Sequence, residues 1–266
     1  MSGQAEAVAV LTAPQTKTFE KVVVVLPAYN AERTLRQTVD DIPDGVVDEI
    51  LLVDDYSHDQ TLKVGEELGL QTIRHYVNRG YGANQKTCYV AALESGADLI
   101  IMLHPDYQYD PRLIPYFLGF MEAGICDVML GSRIRTRREA LEGGMPCYKY
   151  LSNRILTFVE NLVLGQNLGD FHSGFRMYRR EVLEAIPFEM NSDDFVFDSE
   201  FLAQVVYFGF KIGDAPMPVR YFPEASSINF RRSLTYGLKT LAVLGRFVLQ
   251  KLRLAKLASF RRKDSL

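Results

Sequence analysis

Cysteine is scarce in the chain: Cys88, Cys126 and Cys147 stand in dissimilar contexts with no paired spacing. That excludes a disulfide framework and a zinc site, and a reducing compartment is the simplest expectation. A basic leader is also missing, so MSGQAEAVAVLTAPQTKT is read as a flexible tail over 1–18 rather than a signal peptide, with the protein expected in the cytoplasm. No glycine lies between the first apolar run and the helical pattern that follows it, so no G-x-G-x-x-G loop can close over a pyrophosphate there. No G-x-x-x-x-G-K-[ST] occurs anywhere. These absences argue against dinucleotide redox enzymes and P-loop NTPases.

What is present is an ordinary globular composition, 47% hydrophobic and 24% charged over 266 residues, enough for one large domain or a domain with an appendage. Short apolar runs alternate with helical patterns through the first half. VVVVL (22–26) precedes a helix near 31–40, EILLV (49–53) one near 59–68, QTIRH (71–75) one near 82–94, and LIIML (99–103) one near 111–121; DVMLG (127–131) closes the series. Continuous apolar strands separated by helices predict an α/β fold, a doubly wound, mostly parallel sheet with helices on both faces. Ligands of such sheets bind at the carboxyl ends of the strands. The polar residues after each run are therefore the site candidates, and they are rich in carboxylates, which suits ribose and base hydrogen bonds beside a cation that neutralises phosphates.

LIIMLHPDYQYDP ends its apolar run in His104, Asp106 and Gln108 at every second position, and an extended backbone would point all three the same way. Imidazole, carboxylate and amide oxygen are all credible metal ligands.

PAYNAE after the first run, VDDYS after the second, NRGYG before the third helix, the aspartate-bearing loop after LIIML, then GSR and SGFR, occur in an order that resembles the family 2 glycosyltransferases of the GT-A fold. Within these the likeness is to the dolichyl-phosphate mannose synthase and polyprenyl-phosphate glycosyltransferase branch, over about residues 20–225. The resemblance implies an inverting, metal-dependent transferase that takes a sugar from a UDP- or GDP-sugar. It implies donor contacts from Pro27, Tyr29, Glu32 and Asp55. Asp54 is either a further donor contact or a turn former, and Asp59 with Ser57 either joins it or caps the next helix. Gly80 and Gly82 either let the chain approach the nucleotide or turn it sharply, and Arg133 lies near the phosphates or in solvent.

Where such enzymes usually carry Asp-x-Asp, this chain has His104-Pro105-Asp106. Asp106 and Gln108 are expected to hold the divalent cation, Mn²⁺ or Mg²⁺, while His104 ligates it, touches the diphosphate, or merely hydrogen-bonds the loop. In NSDDFVFDSEFLAQVVYFG (191–209), acids at a helix start are favoured by capping and the helix dipole alone. The resemblance makes Asp198, or failing that Asp194, the base for a hydroxyl acceptor, whereas an acceptor phosphate needs none. Arg176 of SGFR, and His172 before it, are candidates to pair with a phosphate of donor or acceptor.

From residue 226 onward ten basic residues face one acid, so a formal net charge of −3 divides into +9 for this segment and −12 for the rest. Leu234, Leu238, Leu241, Val248 and Leu252 recur at helical spacing, opposite a polar stripe of Lys239, Arg246, Gln250 and Arg253. The segment 226–266 is read as a basic amphipathic helix, appended to a catalytic domain over 19–225, that lies on an anionic membrane or packs on that domain. Its longest uncharged stretch, 240–245, is too short to span a bilayer of about 30 Å. Nucleic acid is not an expected partner, since no aromatic platform is evident and the −12 body repels a polyanion. The expected acceptor is a polyprenyl phosphate or a hydroxyl of a glycan or small molecule. The alternative of another class is a catalytically weakened nucleotide-sugar-binding scaffold of an envelope-assembly complex.

Overall fold

The computed structural model describes residues 18–133, 136–142, 146–218 and 230–263. Of the tail expected over 1–18 all but the last residue, and the boundary expected between 225 and 226, lie outside them.

In chain order the elements are β1 (Val22–Ala28), α1 (Leu35–Asp40), β2 (Glu49–Asp54), α2 (Thr61–Glu67), β3 (Gln71–Arg74), α3 (Tyr81–Glu94), β4 (Leu99–Leu103) and α4 (Ile114–Glu122). They continue through β5 (Val128–Ser132), α5 (Arg137–Glu142), α6 (Cys147–Leu164), β6 (Phe175–Arg179), α7 (Arg180–Ala185), α8 (Phe197–Tyr207), β7 (Ile212–Pro216) and α9 (Phe230–Lys251). The strands form one sheet in the order β3-β2-β1-β4-β6-β5-β7. All neighbours run parallel except β6, which is antiparallel to both β4 and β5.

The expected α/β doubly wound, mostly parallel architecture is what the chain adopts, and β1 shows why. Val22, Val24 and Leu26 enter one apolar core with Leu35, Ile114 and Phe117, while Val23 and Val25 enter another with Tyr89, Phe197 and Phe201. A strand covered on both faces must be apolar at every position. Burying each valine stabilises the fold by about 1.5 kcal/mol or more.

α9 lies against α8 through Val243, Leu244 and Phe247, with Thr240 hydrogen-bonded to Ser199 at 3.1 Å. α6 runs beside it, Leu156 lying close to Gly237. α6 turns Asn153, Thr157, Glu160 and Leu164 inward. Its outward face carries Tyr148, Leu151, Ile155, Phe158 and Leu162, and α9 exposes Leu234, Leu238, Leu241 and Val248, with Leu252 exposed just beyond its end. Two neighbouring helices thus each present an apolar stripe at three- and four-residue intervals. No helix among the described residues is long and apolar enough to cross a membrane.

Candidate functional site

At the carboxyl end of β2 the chain must turn sharply, and carboxylates organise the turn. Asp54, fully buried, accepts the Ser57 amide on both oxygens at 3.3 Å. Asp55 accepts the amides of Arg79 and Gly80 at 2.8 and 2.9 Å and lies 2.7 Å from His75 Nδ1. Asp59 accepts the amide and hydroxyl of Thr61, the first residue of α2, and the Glu32 amide. Glu32 in turn accepts the Gln60 amide at 2.7 Å. The loops after β1, β2 and β3 are therefore cross-braced, and Tyr29, about half exposed, stands at their rim with His58 and Tyr56. Pro27 is on β1, partly exposed at its carboxyl end.

The glycines before α3 allow a close approach, but the neighbour is the chain itself. A Cβ on Gly82 would lie 2.3 Å from the Ser192 carbonyl oxygen, one on Gly80 2.7 Å from that of Asp193, and the Gly82 amide donates to Asp193 at 2.8 Å. Gly80 also has φ +97, a conformation glycine adopts without strain.

The tip of β4 departs from expectation. The extended backbone stops at Leu103, residues 105–107 turn, and Tyr107 takes φ +55. His104, Asp106 and Gln108 are thus not displayed at alternate positions of a strand. Asp106 accepts the Gln108 amide at 3.2 Å, and His104 Nε2 lies 3.2 Å from the Tyr81 hydroxyl. Burial, the largest influence, holds the His104 pKa below the ordinary histidine value, against the opposing pull of Asp106 and Asp198.

The other half of the crevice is built by ion pairs between distant segments. SGFR leads into a strand: Phe175 begins β6, and Arg176 points into the protein, fully buried. Its guanidinium lies 2.8 Å from Asp198 and donates from Nε to the Ser173 carbonyl at 2.7 Å. A direct phosphate contact, the expected role, does not fit a group so enclosed. Asp198, on the first turn of α8, also accepts from the Tyr81 hydroxyl at 2.9 Å and the Gln85 amide at 3.0 Å. Burial together with the Asp198 charge raises the Tyr81 phenol well above its usual pKa.

Arg133 is not in solvent: it pairs with Asp170 at 2.6 Å, and Asn153 and the His172 amide complete that carboxylate's shell. Burial works to raise the Asp170 pKa, but Arg133 outweighs it and holds the group well below the carboxylate range. His172 lies between Glu160 at 3.2 Å and the Tyr236 hydroxyl at 2.7 Å. Asp194, the alternative base, is exposed and paired with Lys239 of α9 at 2.7 Å.

The residues that link these groups, Tyr81, Gln85, His75 and Asp170, were not singled out from the sequence as site residues. NRGYG contains Tyr81 and the tyrosine was available to notice, but nothing in the spacing indicates that it reaches Asp198 across 117 positions.

A mostly parallel sheet with one antiparallel strand and carboxylate-rich loops at its strand ends has the layout of a GT-A fold. The chain belongs to glycosyl transferase family 2, whose profile matches residues 23–186. It is 27% identical over 233 residues to an uncharacterised protein of Methanocaldococcus jannaschii, covering 88% of this chain and 93% of that one. It is 26% identical to the UDP-N-acetylglucosamine–dolichyl-phosphate N-acetylglucosaminyltransferase of Methanococcus voltae, covering 75% and 86%. The same fold occurs in glucosyl-3-phosphoglycerate synthase of Mycobacterium tuberculosis, whose complex with UDP aligns with a TM-score of 0.66 at 21% identity over 85% of this chain and 79% of that one. That synthase has also been crystallised with Mn²⁺, UDP-glucose and phosphoglyceric acid.

Proposed function

We propose that this glycosyltransferase moves a sugar, with inversion, from a UDP- or GDP-sugar to a polyprenyl phosphate at the surface of an anionic membrane. The observation that carries the reading is that Asp55 and Asp106 follow the carboxyl ends of the parallel strands β2 and β4, while Asp198 of α8 is tied to the β4 end through Tyr81 and His104. The dolichyl-phosphate specificity named for the M. voltae relative supports the acceptor class.

The loops after β1 and β2 supply Pro27, Tyr29 and Glu32 as the surface for base and ribose. Asp54 and Asp55 hold those loops in place through the backbone amides they accept. Asp106 and Gln108 fit a divalent cation, Mn²⁺ or Mg²⁺, as oxygen donors. Among the described residues no three His, Cys, Asp or Glu form a metal-holding group, so Asp106 and Gln108 would hold such an ion only together with ligands from outside the chain. When bound, it supplies charge stabilisation of the departing diphosphate.

Asp198 stands at the reacting end, its orientation fixed by Arg176, Tyr81 and Gln85. Toward a hydroxyl acceptor it is the general base, worth about 10²–10⁴ in rate. Toward a phosphate acceptor, already ionised, it orients and excludes. Arg133, held by Asp170, stands at the carboxyl end of β5, where it would lie near the donor phosphates.

The outward stripes of α6 and α9 are the surface that meets the membrane. They run on into exposed Leu252 and Leu254, flanked by exposed Lys251, Arg253, Lys256 and Arg261. Anionic lipid complements that basic end at about 1 kcal/mol per charge. An isologous second copy would set like charge against like.

A thermal-shift panel of UDP-, GDP- and dTDP-sugars with and without Mn²⁺, followed by transfer to polyprenyl phosphate in anionic vesicles, tests the reading. Stabilisation by one nucleotide class and lipid-linked product are expected; stabilisation by none would reject the donor, and glycan product without lipid product would reject the acceptor.

A further inference from the structure

We propose that His104 is a positioning residue for Asp198, acting through the Tyr81 hydroxyl, and that it stands outside the cation's ligand set. The inference deepens the transferase reading and rests on it for the importance of Asp198.

It follows from counting protons. Tyr81 has one to give, and Asp198, ion-paired with Arg176, only accepts; the two are 2.9 Å apart. The tyrosine oxygen must therefore accept from its other neighbour, His104 Nε2, at 3.2 Å. The imidazole is fixed as the Nε2–H tautomer, and a chain runs His104 to Tyr81 to Asp198 in one direction. A carboxylate at 104 has no proton to start that chain and would add a second negative charge facing the same phenol.

The ring sits in a slot shaped for it. A Cβ on Gly174 would lie 2.6–2.9 Å from Nδ1, Cγ and Cε1 of His104, so only glycine leaves room for the imidazole at this height. The His104 amide donates to the Gly174 carbonyl at 3.1 Å, and the Gly174 amide donates to the Tyr109 hydroxyl at 2.7 Å. On the other side Tyr81 packs edge-on against the imidazole and stacks on Phe195 at 4.8 Å between centroids. Two backbone bonds, one bare Cα and one aromatic stack thus hold the histidine just beyond the end of β4. Turning it toward a cation would break the bond to Tyr81 and leave the phenol oxygen without its donor.

The test is ¹⁵N NMR of the full-length protein with labelled histidine, His104 being assigned by loss of its signals in His104→Gln. The expected spectrum shows Nε2 protonated and Nδ1 bare, unchanged when Mg²⁺ and UDP or GDP are added, with Tyr81→Phe moving the Nε2 signal. In calorimetry, His104→Ala and His104→Gln should bind Mg²⁺ in the nucleotide complex within twofold of wild type. In turnover, His104→Ala should lower kcat about tenfold with donor KM unchanged, and His104→Gln, which retains an N–H near Nε2, should restore most of it. An Nδ1–H tautomer, an Nδ1 signal displaced by the cation, or a tenfold loss of cation affinity in His104→Ala overturns the proposal. Failure of every sugar nucleotide to bind rejects the transferase reading instead, and the tautomer in the free protein still decides the hydrogen-bond assignment.

Discussion

The two halves of the crevice are held by different means. In the half after β1, β2 and β3, Asp54, Asp55 and Asp59 are satisfied largely by backbone amides of nearby loops. In the half formed by β6, α6, α8 and α9, charges meet other charges from far along the chain, Arg176 with Asp198 and Arg133 with Asp170. An amide cannot be mutated away and carries no net charge, so the first half tolerates loss of any one side-chain partner. The second half has no such reserve, because each buried ion depends on one counter-ion.

The comparison is broken most directly at Arg176. Arg176→Met should destabilise the protein by about 3–5 kcal/mol by stranding Asp198, and Arg176→Met combined with Asp198→Leu should recover much of that loss in urea unfolding. Equal loss in the double variant would mean the pair is not the dominant interaction. Gly82→Ala is next, at about 1–3 kcal/mol, because the added methyl meets the backbone of Ser192 and the Cβ of Phe197, neither a flexible side-chain end. Asp55→Asn should cost about 1–2 kcal/mol, since the amide oxygen keeps part of the Arg79–Gly80 contact, while donor affinity falls as that loop loosens. Thermal melts and nucleotide titration separate those two effects.

A smaller, pH-dependent effect sharpens the contrast. Burial disfavours the charged form of His172, but Glu160, with Asp170, outweighs it and raises the pKa, against Arg133. A raised histidine contributes stability that is full below its unfolded pKa of about 6.5 and fades as pH rises through the folded value. The Tm difference between wild type and His172→Gln should therefore shrink steadily above pH 6.5. A difference that grows with pH would contradict the Glu160 pairing. Smallest of all for stability, within about 0.5 kcal/mol, is Ile155→Ser on the outward face of α6, which should nevertheless weaken flotation with anionic vesicles.

Which features were legible follows from the same division. Four of the first five strands announced themselves as β-branched or aliphatic runs, the edge strand β3 (QTIR) being the polar exception, and their ends named the candidate loops. β6 did not: FRMYR places a buried arginine inside a strand, a pattern that reads as surface or loop until Asp198 is seen opposite it. The turn after β4 escaped because Pro105 and the positive φ of Tyr107 override the alternation of polar residues. Tyr81 was passed over since its partners, at 104 and 198, lie on other elements. The outward stripe of α9 was visible as periodicity in the sequence.

The antiparallel strand between β4 and β5 also sets a timetable. During synthesis residues 99–132 leave the ribosome well before 175–179, so β4 and β5 are each made with an unpaired edge facing a gap. Closure waits for the later segment to thread between them in reverse, bringing Arg176 with it. The nascent chain is thus most exposed to mispairing while α6 is emerging, and the half of the site built on β6 and α8 acquires its fixed shape after the half built on β1 to β3.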